Sequence, residues 1–313
     1  MKKTVLKLIA FAVIGGLLFS CEKNERGIPQ PKPGNQEETP DPEPEPDGDT
    51  FTIEPAPYKV VAHRGGSSEC GAPDNSRASL RYAMGLKCYA SECDIYWTKD
   101  NKIVIAHADG NCKINGLYPW EATLEQIQKG GLLKNGETIP SLEDFLDIVM
   151  VKGNCTKLWL DIKNITSPST LTQYPINAVQ RACQIIRDRK AEAWCEFICT
   201  GNETVASAAQ ACMTSYKIPV GWMAKKTPTG HKAKGFTWAN ENASSAMTPY
   251  YTTNTVDAFV NAGMEISVFN VDRQEGDGNA VFSNSDVAYY VQEYPKMKAV
   301  CTNYPAWFIG KIK

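Results

Sequence analysis

Between Phe51 and Lys313, short runs rich in β-branched and aromatic residues alternate with stretches of helical periodicity. No other feature of the chain restricts its architecture as much. The strand candidates are YKVVAH, CDIYWT, KIVIAH, KLWLDIK, WCEFICT, IPVGWMA, GFTWAN, EISVFNV and KAVCTN. The helix candidates between them are NSRASLRYAMGL, SLEDFLDIVM, INAVQRACQIIRDR, ETVASAAQACM, NTVDAFVNAG and SDVAYYVQEY. Ser141 ahead of Glu143 and Asp144, and Asn202 ahead of Glu203, are good helix starts; Gly263 after Asn261 and Ala262 is a helix stop. Strands joined through helices pair in parallel by right-handed crossovers. No GxGxxG follows the first strand, which disfavours a doubly wound open sheet. The length is that of one barrel of about 250 residues. The expected fold is therefore α/β, a single-domain TIM (β/α)8 barrel over residues 51–313, with no internal repeat.

The first fifty residues do not belong to that pattern. Met1 to Ser20 carries Lys2 and Lys3, then LIAFAVIGGLLFS, in the order of a secretory signal. The apolar stretch is short of the roughly 20 residues that a spanning helix needs. Leu18-Phe19-Ser20-Cys21 resembles a bacterial lipoprotein cleavage box, which would make Cys21 the lipidated new N-terminus. An ordinary secretion signal ending at a cysteine is the alternative, and both readings export the protein. Cys21 to Thr50 holds nine acidic residues, three basic ones and seven prolines, so it reads as an extended tether without a core. The expected location is a lipid anchor in the bacterial cell envelope, periplasm or outer membrane.

The whole chain carries a net charge of −2, and most of its acidic excess lies in the tether. A near-neutral folded part argues against nucleic acid or anionic lipid as partners, and nothing signals a protein partner. Ten of the eleven cysteines fall in the folded part without a CxxC pair. They are read as structural, some buried and some bridged, and not as a zinc site.

In a parallel barrel the strand C-termini share one face, and chemistry sits there. His63 and Arg64 end the first strand candidate, His107 ends the third, and Asn270 follows SVF in the eighth. Glu92 and Asp94 are separated by one residue, as are Asp161 and Lys163. Side chains two apart on a strand point the same way, about 6.6 Å apart at 3.3 Å per residue. Glu92 and Asp94 thus aim two carboxylates into the barrel mouth, and their repulsion calls for a cation. With Asp161 they make three carboxylate donors and no thiolate, a set suited to a hard divalent cation, Mg²⁺ or Ca²⁺. Two histidines suit a general acid and a general base, and Arg64 and Lys163 suit a phosphate. His231, in KKTPTGHKAKG, reads as loop. Trp222, Trp238 and Phe269 read first as core, with substrate stacking as the second reading.

The order AHRGG, APDNSRASLRYAMGLKCYASECDIYWTKDNKIVIAHAD, IPSLEDFLDIV, LWLDIK, ISVFNV and CTNYP resembles the glycerophosphodiester phosphodiesterase family from about Tyr58 to Pro305. The resemblance implies a hydrolase that releases sn-glycerol 3-phosphate and an alcohol from a deacylated phospholipid. It implies His63 and His107 as the acid–base pair, Glu92, Asp94 and Asp161 as metal ligands, and Arg64 and Lys163 as phosphate binders. The chain departs from the family pattern at Asp74 (usually Glu), Ser76 (usually Thr), Asp161 (usually Glu), Phe269 (usually Trp) and Asn303 (usually Asp). The short segment between His107 and Ile139 leaves little room for a covering insertion, so an open mouth is expected. Two other readings of the same barrel stand beside hydrolysis. One is a non-catalytic surface binder of phosphorylated head groups or glycans; the other is a lyase giving a cyclic phosphate.

Overall fold

The computed structural model describes residues 52–166, 171–243, 255–272 and 284–313. The expected signal peptide, the tether and Cys21 lie outside the described residues. Each of the nine expected strands is found: β1 (Val60–Ala62), β2 (Ala90–Trp97), β3 (Ile103–Ile105), β4 (Lys157–Ile162), β5 (Cys195–Cys199), β6 (Val220–Trp222), β7 (Trp238–Asn242), β8 (Glu265–Phe269) and β9 (Ala299–Thr302). Eight of them are staves. They pair in parallel in the order β1-β9-β8-β7-β6-β5-β4-β2, and β2 returns to β1 to close the ring. The fold is a TIM (β/α)8 barrel.

β3 is the exception to the expected all-parallel arrangement. Only a tight turn through Asp100 and Asn101 joins it to β2, so the two strands run antiparallel, with Ile95 opposite Ile105. Parallel pairing needs a crossover of a dozen or more residues, and the turn leaves none. β3 therefore pairs with the end of β2 that rises past the other staves and runs back toward the mouth.

Alternation of side chains along each stave sorts the barrel into layers. Val61, Ala90, Trp159, Ile198, Trp238, Ala299 and Cys301 meet in one interior cluster. Alternate residues face outward, where Leu158, Leu160, Cys195, Phe197, Val220 and Trp222 pack under the surrounding helices. At the end opposite the mouth, the buried carboxylate of Glu196 accepts from Tyr89 Oη at 2.6 Å, Lys157 Nζ at 2.8 Å and Trp159 Nε1 at 2.9 Å. Lys298 stands 3.6 Å away and lies 4.7 Å over the ring of Trp238. These polar groups close the barrel floor.

Helix starts follow the capping chemistry. Ser141 accepts from the Asp144 backbone N–H at 3.1 Å, and Asn202 accepts from those of Thr204 and Val205. The helix Val256–Asn261 stops before Gly263, whose φ is +71°. Two expectations are corrected here. His231 is not in a loop: Thr227 caps and Pro228 starts a short helix, Pro228–Ala233, that carries the ring fully inside. Its Nε2 lies 3.1 Å from both the Ala224 carbonyl and Oε1 of buried Glu241. The polar letters around His231 belong to the helix's wet side. The ten described cysteines are free thiols, nine of them buried, so the expected bridges are not formed.

Candidate active site

The mouth is built from turns that the sequence makes unavoidable. After β1, Arg64, Gly65 and Gly66 all take positive φ, at +47°, +83° and +74°. A Cβ on Gly65 would lie 2.4 Å from Ser79 Oγ, so the chain folds tightly against the helix Arg77–Gly85. That reversal leaves the His63 ring at the rim and turns the Arg64 backbone inward, where its N–H donates to Glu92 Oε2 at 2.9 Å. The guanidinium donates to Asp74 Oδ2 at 2.8 Å and stands 3.4 Å from Asp94 Oδ2.

Glu92 and Asp94 are 2% and 0% exposed and share the inward side of β2. Parallel register sets Asp161 of β4 directly opposite Asp94. The result is a buried cluster in which one carboxylate oxygen from each of Glu92, Asp94 and Asp161 lies within 4.8 Å of the others. Asn75, itself at φ +56°, clamps Asp94 from behind: its Nδ2 donates to Oδ2 at 2.8 Å, and its Oδ1 accepts from the Asp94 backbone N–H. Lys163 Nζ reaches Asp94 Oδ1 at 2.6 Å and bonds to Asp161 Oδ2. Arg64 and Lys163, expected at a phosphate, are thus engaged by carboxylates while also lining the mouth.

The electrostatics follow from burial and neighbours. Desolvation, then the charge of Asp94, pushes Glu92 up to about 7. Burial also raises Asp161, against the pull of Lys163. For Asp94 burial acts upward too, yet Lys163 and Arg64 overcome it and hold the carboxyl below its ordinary value. Burial works against the charged form of Lys163, but the three carboxylates win and keep it protonated. Three carboxylates around two cations leave a negative site. Asp161 Oδ1 is buried and takes no hydrogen bond among the described residues. An all-oxygen set with a spare buried lone pair fits a hard divalent cation.

Two adjoining cavities share Ser68 and Asp74. The inner one, roughly 500 Å³, contains His63, Arg64, the Glu92 and Asp161 carboxylates and Lys163, with Ile198, Met223 and Phe269 as its apolar wall. The outer one, roughly 840 Å³, contains His107, Lys113, Lys134, Leu132 and Ile139. His107 stands at the rim, and partial burial lowers its imidazole below the ordinary value. It reaches the mouth by a route the spacing did not suggest. It follows the antiparallel strand β3, which delivers it from above the rim and not along a stave. Of the three aromatics in question, Trp222 and Trp238 are buried core, and Phe269 lines the inner cavity.

Sequence reasoning passed over the partner of His63. Nδ1 of His63 lies 2.6 Å from Asn303 Oδ1, and Asn303 is held in turn by buried Asp272. The signals were that Asn303 stands where the resemblance expects Asp, and that both residues follow the ends of adjacent staves.

The arrangement can be set beside known proteins. Residues 63–306 match the Glycerophosphoryl diester phosphodiesterase family. The chain belongs to that family. The match runs from the first rim histidine to the start of the last helix, Pro305–Ile312, and so spans the barrel. The Bacillus subtilis protein YhdW, named as a glycerophosphodiester phosphodiesterase, is 36% identical over 95 residues; that stretch is 28% of this chain and 38% of the relative. A crystal structure of a glycerophosphodiester phosphodiesterase from Parabacteroides distasonis superposes with a TM-score of 0.62 at 21% identity, over 83% of this chain and 98% of that one. An Oleispira antarctica phosphodiesterase, solved with the product sn-glycerol-3-phosphate, gives 0.59 at 17% identity, over 81% and 96% of the two chains. At these identities the structures speak for the fold.

Proposed function

We propose that this chain hydrolyses glycerophosphodiesters to sn-glycerol 3-phosphate and an alcohol, by two-histidine acid–base catalysis beside a divalent cation, Mg²⁺ or Ca²⁺. One observation carries the reading: a buried three-carboxylate cluster lies under a rim bearing both histidines, Arg64 and Lys163, in a member of the glycerophosphoryl diester phosphodiesterase family. The sn-glycerol-3-phosphate bound to the Oleispira relative supports the product assignment.

The substrate phosphate sits where the inner cavity, with His63, Arg64 and Lys163, adjoins the outer one, with His107. Glu92, Asp94 and Asp161 would hold the cation, which would supply Lewis-acid polarisation of the phosphoryl group. Arg64 and Lys163 meet the phosphate oxygens and balance charge as it develops. Glycerol occupies the inner cavity, against Phe269 and Met223. His63 accepts the proton of the attacking oxygen, and His107 protonates the departing alkoxide, whose alcohol leaves through the outer cavity. The near-neutral domain supports a small-molecule substrate and no nucleic acid. The signal-like N-terminus supports export and anchoring through a lipid on Cys21. The mass of the mature N-terminus tests this: a diacylated Cys21 is expected, and an unmodified one would refute the anchor.

Phosphorus NMR on a panel of glycerophosphodiesters, with and without chelator, tests the reaction. Steady release of a phosphomonoester is expected, abolished by His63→Ala, by His107→Ala and by chelator, and restored by divalent cation. A cyclic phosphate product would instead identify a lyase. Thermal stabilisation by a diester without any turnover would identify a binding protein.

A further inference from the structure

The 2.6 Å contact between His63 Nδ1 and Asn303 Oδ1 does not by itself say which atom carries the hydrogen, because an imidazole nitrogen can donate or accept. The far end of Asn303 decides. Its Nδ2 donates to Asp272 Oδ2 at 2.8 Å, and its backbone N–H donates to Asp272 Oδ1 at 2.6 Å. The Thr302 hydroxyl is a third donor to the carboxylate and the second to Oδ1, at 2.8 Å. Asp272 is 1% exposed, and both of its oxygens are committed to donors. A carboxylate only accepts, so the NH₂ of Asn303 must face it and the amide oxygen must face His63. The imidazole proton then belongs on Nδ1. Nε2, which stands 3.8 Å from Glu92 Oε2 on the cluster side, keeps its lone pair.

We infer that Asp272 dictates the tautomer of His63 through Asn303, so that the nitrogen facing the carboxylate cluster is always the proton acceptor. Asp272 and Asn303 are positioning residues, because neither reaches the reacting atoms except through His63. The arrangement uses hydrogen-bond polarity alone. Asn303 is neutral and relays the direction set by a buried anion one step further from the substrate. The catalytic meaning of this relay rests on the proposed role of His63 as general base.

Asp272→Asn places an NH₂ against the NH₂ of Asn303. The Asn303 amide then turns over, presents a donor to Nδ1, and drives the imidazole proton to Nε2. kcat for the best glycerophosphodiester should fall by about 10² to 10⁴-fold, the usual worth of a general base, with KM nearly unchanged. Combining Asp272→Asn with Asn303→Asp reverses both ends. The new amide donates to the new carboxylate, which still accepts from Nδ1, and kcat should return to within about tenfold of the parent.

A second readout is independent of turnover. In the full chain labelled with ¹⁵N-histidine, long-range ¹H–¹⁵N correlations at alkaline pH report the tautomer of each neutral ring; His63→Gln assigns the signals. The unmodified chain should show His63 protonated at Nδ1, and Asp272→Asn should show it at Nε2. An Nε2 proton in the unmodified chain overturns the relay, whether or not any variant folds. A double variant no more active than Asp272→Asn overturns it too. If no diester is turned over but the tautomer and its switch are seen, the relay stands and the hydrolytic reading falls.

Discussion

At the scale of single residues, the carboxylate cluster makes the mouth pH-sensitive with a definite sign. Without a cation, Glu92 is lifted from 4.5 to about 7, so between those values the folded chain holds a proton that the unfolded chain has released. Stability then falls as pH rises through the window, by roughly 3 kcal/mol at 1.36 kcal/mol per unit. The Tm of cation-depleted protein should decline across that range, Glu92→Gln should flatten the slope, and divalent cation should restore stability on the alkaline side. Conversely, apparent cation affinity should weaken as pH drops below about 7, because the ligands must be ionised to bind. Asn75 orients Asp94 without being a candidate ligand itself, so Asn75→Ala should weaken cation binding by about 10 to 100-fold as measured by calorimetry. Much at this scale was readable in the letters. Period-two spacing alone aligned Glu92 with Asp94 and Asp161 with Lys163. Asp272 was not readable: it meets Thr302 and Asn303 thirty or so positions away, through the adjacency of β8 and β9, and adjacency between staves is a property of the closed ring.

At the scale of elements, the first turn of the mouth is the most tightly determined piece of backbone. Gly65→Ala forces a side chain into φ +83° and onto Ser79, so it should cost well over 1 kcal/mol and lower turnover with it, by shifting His63. Gly136→Ala meets the same positive φ, at +84°, but open space, and should cost only about 1 kcal/mol with turnover intact. Comparing denaturant midpoints and kcat for the two variants separates strain from collision. Elements were legible wherever periodicity and caps agreed, as at Ser141 and Asn202. The direction of β3 was misread, because an isolated apolar run has no polarity; only the brevity of the Asp100–Asn101 turn reveals that it doubles back. The helix around His231 was hidden for another reason: two buried residues, Pro228 and His231, among solvated lysines look polar on average.

At the scale of the whole molecule, the barrel separates a chemical end from a structural one. Glu196 at the floor is held below its ordinary value, since Lys298 and Lys157 outweigh the burial that would raise it. Glu196→Ala leaves those cations without their shared anion and should cost roughly 3 kcal/mol in chemical denaturation while kcat stays constant. The architecture itself followed from the alternation of strand and helix, whereas the floor network joins Tyr89, Lys157, Glu196 and Lys298 from four different staves or their lead-ins, and nothing local ties them. The annexe beyond β3 has a small core of its own, where Tyr96, Val104, Ala106, Ile114, Ala122, Ile127 and Ile139 pack together apart from the barrel interior. One histidine is thus mounted on the closed ring and the other beside a small separate core. Natural drift or deliberate grafting in residues 108–139 can therefore reshape the outer cavity, while the buried carboxylate cluster in the ring is left as it is.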